Sequence, residues 1–482
     1  MRPTSNPPAI VLKSTFPLLG GLLLLASQAG AQVAPPGTTV PATPPPAAPA
    51  LEPVHQPADA PAESRNWSLH FQQTVIKQWH AEFDSPVADS LLAPLSLQSR
   101  EKAKLSLTTT LFIGRRLWRG AGIFFNPEIS GGRGLSGASG VAGALNGETF
   151  RVGSTEPALY LARLFLQQRW ALGTATATDQ DDLNQLAGPR PSRYLGLTAG
   201  KISIADYFDQ NAYSHNPRTQ FMNWSLMSTG AWDYPANTRG YTLGAVAEYV
   251  TPDFALRVAS TLVPTYANGP VLDYRYGRAH SETIELTKAY QLGGRPGTAR
   301  LLGFRTVAPM GTYRTAVRLA HGTGDEPDIV AVRRDGHTKL GFGLNAEQEL
   351  AKNVGLFARL SYNDGLNETW AFTESAQTAS LGVVSTGARW QRPADRLGAA
   401  VAVNGISPEH RAYLAAGGRG FIIGDGGLNY GLERIGEVYY SVALPKYHAS
   451  LSPDYQFVVN PAYNRDRSGP VHVVAVRLHV EF

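Results

Sequence analysis

Hydrophobic and polar residues alternate along the last twelve residues of the chain, 471–482. One set of alternate positions is apolar after its first member, from His472 to Phe482, and the other set ends in Arg477, His479 and Glu481. Side chains of a β-strand point to opposite faces with a period of two residues, so this segment is predicted to be a strand with one apolar and one wet face. Such a strand suits a soluble sheet, and it equally suits a membrane barrel whose apolar face meets lipid.

The same alternation recurs from Trp67 onwards and predicts sixteen strands. They are Trp67–Trp79, Leu105–Arg116, Ile123–Ile129, Ala158–Leu172, Tyr194–Ile202, Gly240–Val250, Phe254–Val258, Glu282–Gln291, Thr298–Val307, Leu340–Glu349, Gly355–Tyr362, Leu381–Trp390, Leu397–Asn404, Glu433–Leu444, Ala449–Val458 and Val471–Phe482. Short turns at one end, such as Thr251–Asp253 and Arg392–Asp395, alternate with loops of ten or more residues at the other. Gly173–Arg193 is the exception, a long polar connection at the end of the short turns. An even number of strands with this asymmetry is typical of an outer-membrane barrel.

Composition favours the membrane barrel over a soluble β-sandwich or propeller. Hydrophobic residues make up 43% of the chain and charged residues 17%, yet no apolar helical span of transmembrane length follows the first thirty positions. Only helices and closed barrels satisfy their backbone polar groups in lipid. No blade-like repeat is present, and aromatic residues stand at strand ends as membrane-interface girdles do; these are Trp170, Tyr249, Trp390, Tyr440 and Phe482. We therefore predict an all-β, transmembrane antiparallel β-barrel of about 16 strands, with long extracellular loops and short periplasmic turns.

The beginning of the chain predicts export. Residues 1–31 have the basic, apolar and small-residue regions of a cleaved signal peptide. Residues 32–64 are rich in Pro and Ala and are predicted to be a disordered linker, which leaves 65–482 for the barrel. The expected location is the Gram-negative outer membrane, in contact with its lipid, and Phe482 is expected to be recognised by the barrel-assembly machinery. The net charge of +5 is small for this length and indicates no nucleic acid partner.

A sixteen-stranded barrel leaves a water-filled channel, whose selectivity depends on the groups that narrow it. The Gly-rich segment 125–137 carries Glu128 and Arg133, which could oppose each other across a constriction or form a solvated surface pair. Segment 201–239 combines carboxylates, amides, arginines and tryptophans, which suit hydrogen bonding and ring contacts with neutral sugars, although they could equally hold a loop together. Charged residues on the wet strand faces, such as Arg477, are expected to be mostly solvated walls. The candidate constriction and sugar-contact residues are Glu128, Arg133, Arg163, Lys201, Asp206, Trp232, Asp233 and Arg239.

Enzymatic interpretations find little support in the sequence. The histidines lack the spacing of metal ligands, no Gly-x-Ser-x-Gly motif occurs, and the chain contains no cysteine. We therefore expect a protein that is not an enzyme and that needs no cofactor or metal.

Several long segments resemble the carbohydrate-selective porin family of Gram-negative outer membranes, the OprB type. They include FFNPEISGGRGLSG (124–137), NGETFRVG (146–153), TAGKISIADYFDQNAYSHNPRTQFMNWSLM (198–227), GAWDYPANTRGYTLG (230–244) and the closing RLHVEF. The resemblance implies a sixteen-stranded barrel for passive, substrate-selective diffusion of glucose-like monosaccharides, narrowed by arginines and acids. A general or anion-selective pore and a barrel-based enzyme or adhesin remain alternatives, and the barrel could be a monomer or a homotrimer.

Overall fold

The computed structural model describes residues 64–85, 95–149, 156–467 and 469–482. The predicted signal peptide and all of the predicted linker except Ser64 lie outside the described residues. Sixteen strands form one closed antiparallel barrel, as predicted, in which the last strand pairs with the first. They are β1 (Trp67–His80), β2 (Lys104–Arg116), β3 (Ala121–Gly132), β4 (Ala158–Ala171), β7 (Tyr194–Ile202), β8 (Thr242–Val250), β9 (Phe254–Leu262), β10 (His280–Leu292), β11 (Arg295–Ala308), β12 (His337–Ala351), β13 (Val354–Asn363), β14 (Gln377–Gly387), β15 (Arg392–Gly405), β16 (Glu433–Leu444), β17 (Ala449–Val459) and β18 (Val471–Glu481), and a separate hairpin comprises β5 (Thr176–Asp179) and β6 (Gly188–Pro191).

The two faces of the wall follow the period-two pattern. On β18, Arg477 is 0% exposed and points inward, whereas Leu478 is 43% exposed and points outward. The barrel closes where β18 pairs with β1, with Leu478 opposite Val75. The peptide N–H of Phe482 donates to the carbonyl of Phe71 at 2.9 Å. An apolar outer face and a polar inner face are what a barrel in lipid requires.

The two ends of the barrel differ as predicted. At the end that carries Phe482, the strands are joined by the short turns 117–120, 251–253, 293–294, 352–353, 388–391 and 445–448 and by the longer connection 172–193. The five aromatic residues predicted to form a girdle all lie at this end. The predicted strand Leu381–Trp390 ends earlier, at Gly387, because a short 3₁₀ turn begins at Ala388 and Gln391 adopts a left-handed φ of 63°. The predicted turn Arg392–Asp395 is consequently the start of β15.

The opposite end carries the long loops. We refer to residues 81–103 as loop 1, 133–157 as loop 2, 203–241 as loop 3 and 364–376 as loop 6. Helix α1 (Trp224–Met227) belongs to loop 3, whereas α2 (Tyr313–Thr323) belongs to the long connection 309–336 and α3 (Pro408–Ala415) to the long connection 406–432. None of the helices in the described part of the chain combines the length and apolar character of a membrane-spanning helix.

Loop 3 folds into the barrel and packs against the inner wall from β10 to β18. Phe221 of the loop packs on two wall residues, with ring centroids 5.5 Å from Phe357 and 4.9 Å from Tyr439. Tyr213 lies so close to Gly355 that a Cβ at that position would overlap its ring, so glycine is required there by the close approach. This packing fills one side of the lumen and leaves space on the other.

Charged wall residues hold the loop in place. Arg477 donates two hydrogen bonds of 2.7 Å to the carbonyls of Pro217 and Gln220, and Glu437 accepts the N–H groups of Met222 and Asn223 at 2.6 and 2.9 Å. Buried backbone groups need such partners. The expectation that wall charges such as Arg477 are solvated is therefore wrong, because loop 3 covers them.

Candidate functional site

A continuous cavity of about 600 Å³ lies between loop 3 and one side of the barrel wall, formed by β1–β4 and β7–β9. Loops 2 and 6 and the hairpin β5–β6 contribute the remaining lining. The charged residues that line it are Glu128, Glu148, Asp206, Glu248, Arg163, Arg169, Arg218, Arg239 and Arg257, and the aromatic ones are Phe112, Phe165, Tyr194, Tyr207, Trp224, Tyr234, Tyr241 and Phe372. A passage with this lining is polar, and aromatic faces interrupt its charges.

Glu128 on β3 collects hydrogen bonds from several elements. Thr110 Oγ1 donates to Glu128 Oε2 at 2.5 Å, the hydroxyl of Tyr160 donates to Oε1, and the hydroxyl of Tyr241 lies 3.0–3.1 Å from both carboxylate oxygens. The side chain of Glu128 is 2% exposed. A carboxylate with this many donors is fixed in position at the wall of the cavity.

Arg218 of loop 3 faces Glu128 and joins it to loop 2. Its Nε donates to Glu148 Oε2 at 2.9 Å, and its Nη2 lies 3.4 Å from Glu128 Oε2. Its Nη1 donates to Gln72 Oε1. Burial by itself would lower the pKa of the Arg218 guanidinium, but Glu148 and Glu128 outweigh that effect and raise it. Arg218 therefore stays charged and holds three elements together around the cavity.

A second arginine–carboxylate pair lies beside the first. Arg163 on β4 donates two hydrogen bonds to Asp206 of loop 3, from Nε at 2.6 Å and from Nη2 at 2.7 Å. This bidentate geometry is the strong form of the pair. The same guanidinium lies 5.2 Å from the ring centroid of Tyr241, and Arg239 lies 4.2 Å from the ring centroid of Tyr160 and donates to Ser130 at 3.1 Å.

Aromatic rings line the cavity between loops 3 and 6. Trp224 and Phe372 stack with ring centroids 4.5 Å apart and planes inclined by 5°. Tyr234 meets Phe372 edge-on, at 5.0 Å and 88°. Together these rings form an aromatic platform that faces the polar cavity.

Residues 99–482 match the sequence pattern of a protein family that is described as carbohydrate-selective porin, OprB family. The chain belongs to the OprB family of carbohydrate-selective porins. It is thus a sugar porin of the Gram-negative outer membrane, with its long loops outside and Phe482 at the periplasmic end.

A solved structure shows the same fold at low sequence identity. The high pH structure of Pseudomonas putida OprB is 16% identical with a TM-score of 0.64, and the match covers 87% of this chain and 94% of that one. The low pH structure of the same protein gives 13% identity, coverage of 86% and 92% and a TM-score of 0.43. The outer membrane channel DcaP of Acinetobacter baumannii is 11% identical, the match covers 88% of this chain and 99% of that one, and the TM-score is 0.45. No curated protein matches the sequence of this chain.

Four of the eight residues predicted for the constriction line the cavity of this porin: Glu128, Arg163, Asp206 and Arg239. The other four lie elsewhere. Arg133 is exposed in loop 2, so the proposed opposition of Glu128 and Arg133 is not formed. Lys201 lies on the outer face of β7, in register with the outward-facing Leu164 and Leu243.

Trp232 and Asp233 are buried within the packing of the loops. The ring centroid of Trp232 is 5.2 Å from that of Tyr234. Asp233 accepts the N–H groups of Trp370 and Ala371 at 2.9 Å, so it ties loop 3 to loop 6. In the porin, Trp232 and Asp233 therefore hold loops together, which is the alternative to sugar binding that the sequence left open for segment 201–239.

Arg218 belongs to the candidate segment 201–239 but was not among the eight selected residues, and neither were Glu148 and Tyr241. All three lie in segments that resemble the family. Alternation along a strand identifies inward-facing residues, but Arg218 and Glu148 lie in loops, where no period indicates direction. One feature of the sequence could have indicated Arg218. Many carboxylates are expected in the lumen, and each needs a cationic partner, which a loop arginine can provide.

Proposed function

We propose that the cavity binds neutral glucose-like monosaccharides during their passive diffusion across the outer membrane. The observation that carries the proposal is a group of two neighbouring ion pairs at the cavity, Glu128 with Arg218 and Arg163 with Asp206. We call these four residues the central ring. Neutral sugars present hydroxyl groups that both donate and accept hydrogen bonds, so they match a surface on which carboxylates and guanidinium groups alternate.

The aromatic platform supports a sugar rather than an ion. Trp224, Tyr234 and Phe372 line the cavity together with the central ring, and the C–H surface of a sugar can pack on such aromatic side chains while its hydroxyls contact the charges. The sugar exchanges part of its hydration for these contacts. It can leave again, because each hydrogen bond to the protein replaces a hydrogen bond to water and adds little net free energy of binding.

The balance of charges favours a neutral solute over an anion. Four carboxylates and five arginines line the cavity, and Arg163, Arg218 and Arg257 each lie within 3.0 Å of a carboxylate oxygen of Asp206, Glu148 and Glu248 respectively. Paired arginines attract anions less than free ones do, since their field is largely cancelled nearby.

Swelling of liposomes that contain the purified porin tests the proposal. Glucose should enter faster than an uncharged amino acid of similar mass, and a disaccharide should enter more slowly than glucose. Rates that follow solute size alone would indicate a general pore. A KCl gradient provides the second measurement, in which a strong anion preference would favour the anion-pore alternative. The expectations about Phe482 and the assembly machinery, and about a monomer or homotrimer, stay predictions.

A further inference from the structure

The connection 172–193 differs from the other periplasmic connections. It forms a hairpin in which β5 pairs with β6, for example Thr176 with Pro191. Each of the six other periplasmic turns has between two and four residues. A barrel needs only a short turn at this place, because Leu172 and Arg193 already meet in a backbone hydrogen bond of 2.8 Å. The additional residues are therefore available for a task other than joining β4 to β7.

The hairpin folds up into the barrel. Asn184 at its tip accepts a hydrogen bond of 2.9 Å from Asn126 Nδ2 on β3. Asn126 precedes Glu128 by one inward-facing position, which is about 7 Å along a strand. Leu186 lies against the inner wall at Phe124. The tip thus ends close to the central ring, on its periplasmic side.

Ion pairs and hydrogen bonds fix the hairpin next to its tip. Asp179 is paired with Arg169 of β4 at 2.8 Å and with Arg190 of the hairpin at 2.6 Å. Asp181 lies 3.3 Å from His70 Nε2 on β1. Arg116 of β2 donates to the carbonyl of Ala187 at 2.8 Å. Contacts with three wall strands hold the tip at a defined depth in the lumen.

The part of the same cavity that is nearest the periplasm lies between the tip and the facing wall. Leu183, Asn184 and Gln185 lie on the hairpin side of the cavity, and Gln167, Tyr194 and the pair Arg257–Glu248 lie on the wall side. Arg257 Nε and Glu248 Oε1 are 3.0 Å apart. This part of the cavity thus offers an arginine–carboxylate pair, as the central ring does, together with planar amides and an aromatic ring.

We propose that the hairpin and this wall form a second sugar subsite, in series with the central ring and on its periplasmic side. The proposal rests on the proposed function, since it assigns the same class of ligand, a neutral monosaccharide. A sugar that leaves the central ring then passes to a second set of hydrogen-bonding groups before it reaches bulk water, and the hairpin contributes to the selectivity of the porin.

Shortening the hairpin tests the proposal directly. Replacement of residues 173–192 by Asn-Gly joins Leu172 to Arg193 through a two-residue turn that suits antiparallel strands, and it leaves Glu128, Arg163, Arg218 and Asp206 in place. A second variant, Gln167→Ala, keeps the hairpin and removes one amide of the subsite. Gln291→Ala is the matched control, because Gln291 is exposed and does not line the cavity.

The measurement is single-channel current in oriented bilayers, with glucose added to one side at a time. In the wild-type porin, glucose should interrupt the current with two dwell times. The shortened porin should conduct ions better and keep one dwell time. Its apparent glucose affinity from the periplasmic side should fall about fivefold for each hydrogen bond lost. Gln167→Ala should show a smaller decrease, and Gln291→Ala none.

The outcomes separate this inference from the proposed function. If the shortened porin and Gln167→Ala keep both dwell times and the wild-type affinity, the hairpin only narrows the passage and the second subsite is refuted, while the central ring stands. If glucose never interrupts the wild-type current, the proposed function fails and the subsite with it. If Arg218→Gln abolishes one dwell time and the shortened hairpin abolishes the other, both proposals hold.

Discussion

Arg218 of loop 3 lies with its Nη2 atom 3.4 Å from the Oε2 atom of Glu128 on the barrel wall. The two residues are 90 positions apart in the sequence, and they meet because loop 3 folds into the lumen. Their contact joins loop 3 to the barrel wall and places an ion pair at the edge of the cavity.

Removal of that cation should change both ion preference and sugar binding. Arg218→Gln leaves Glu128 its hydroxyl donors but removes the charge that balances it and Glu148. We expect the reversal potential in a KCl gradient to shift towards cation selectivity and the glucose affinity to fall about tenfold, the size of one lost charge-assisted hydrogen bond.

Arg133→Gln is the matched control for that variant. Arg133 is exposed in loop 2 and does not line the cavity, so reversal potential and glucose affinity should both stay at their wild-type values. A change as large as that of Arg218→Gln would place the selectivity in loop 2 instead.

The anchor of loop 3 makes a second prediction. Asp209 of the loop and Arg359 of β13 form an ion pair of 3.0 Å in which neither side chain is more than 2% exposed. Burial would raise the pKa of Asp209, but Arg359 and other partners outweigh it and lower the pKa. Arg359→Met should leave a buried carboxylate unpaired, at a cost of about 3–5 kcal/mol, and should release the loop.

Released loop 3 should be detected as faster protease cleavage within 203–241, higher ion conductance and swelling rates that follow solute size. The double variant Asp209→Leu/Arg359→Met removes both charges, so it should be less damaging than Arg359→Met alone. Equal damage in both variants would mean that packing, and not the ion pair, holds the loop.

The aromatic platform yields a third prediction. Phe372 has a φ of 56°, a conformation that asparagine tolerates, so Phe372→Asn removes the ring with little backbone strain. Glucose-driven swelling should slow about threefold, because a ring contact of this kind contributes about 0.5–1.5 kcal/mol, while KCl conductance should not decrease. Tyr274→Asn, at an exposed ring outside the cavity, should leave both unchanged.

The contribution of loop 1 to stability should depend on pH. Burial would raise the pKa of the Glu101 carboxyl, but hydrogen bonds from His80, Ser136 and Lys104 outweigh it and lower the pKa to about 2. A carboxyl whose pKa is lower in the folded state stabilises that state above its ordinary pKa of 4.5, and the contribution disappears as the pH falls towards 2. Thermal unfolding of Glu101→Gln should thus differ most from wild type at pH 7, and the difference should shrink between pH 4.5 and 2. A constant difference would contradict the assignment.

The barrel itself could be predicted because its signal is local. Whether Arg477 and Leu478 face inward or outward depends only on the alternation along one strand, and sixteen such strands with short turns at one end permit one closed sheet. The turn at Gly387 was misplaced by a few residues, since strand ends depend on single backbone conformations such as that of Gln391.

The members of the site could be predicted only in part. Arg163 lies on a predicted strand, so its inward direction followed from the pattern. Glu128 was selected as part of a Gly-rich segment whose direction the sequence left open, and Asp206 and Arg239 belong to a segment rich in sugar-binding residue types. Trp232 and Asp233 belong to the same segment and have suitable chemistry, yet they are buried in the packing of loops 3 and 6. Composition alone does not distinguish a residue that lines a cavity from one that holds a loop.

The sequence by itself determined the strands, their faces, the two kinds of barrel end and the resemblance to sugar porins, because these depend on short-range alternation and on long matched segments. Only the tertiary structure decided that Arg218 rather than Arg133 faces Glu128, that loop 3 covers Arg477, and that the periplasmic hairpin brings Asn184 up to Asn126. The physical reason is that a loop has no fixed period, so its direction depends on buried ion pairs and ring contacts with residues far away in the chain.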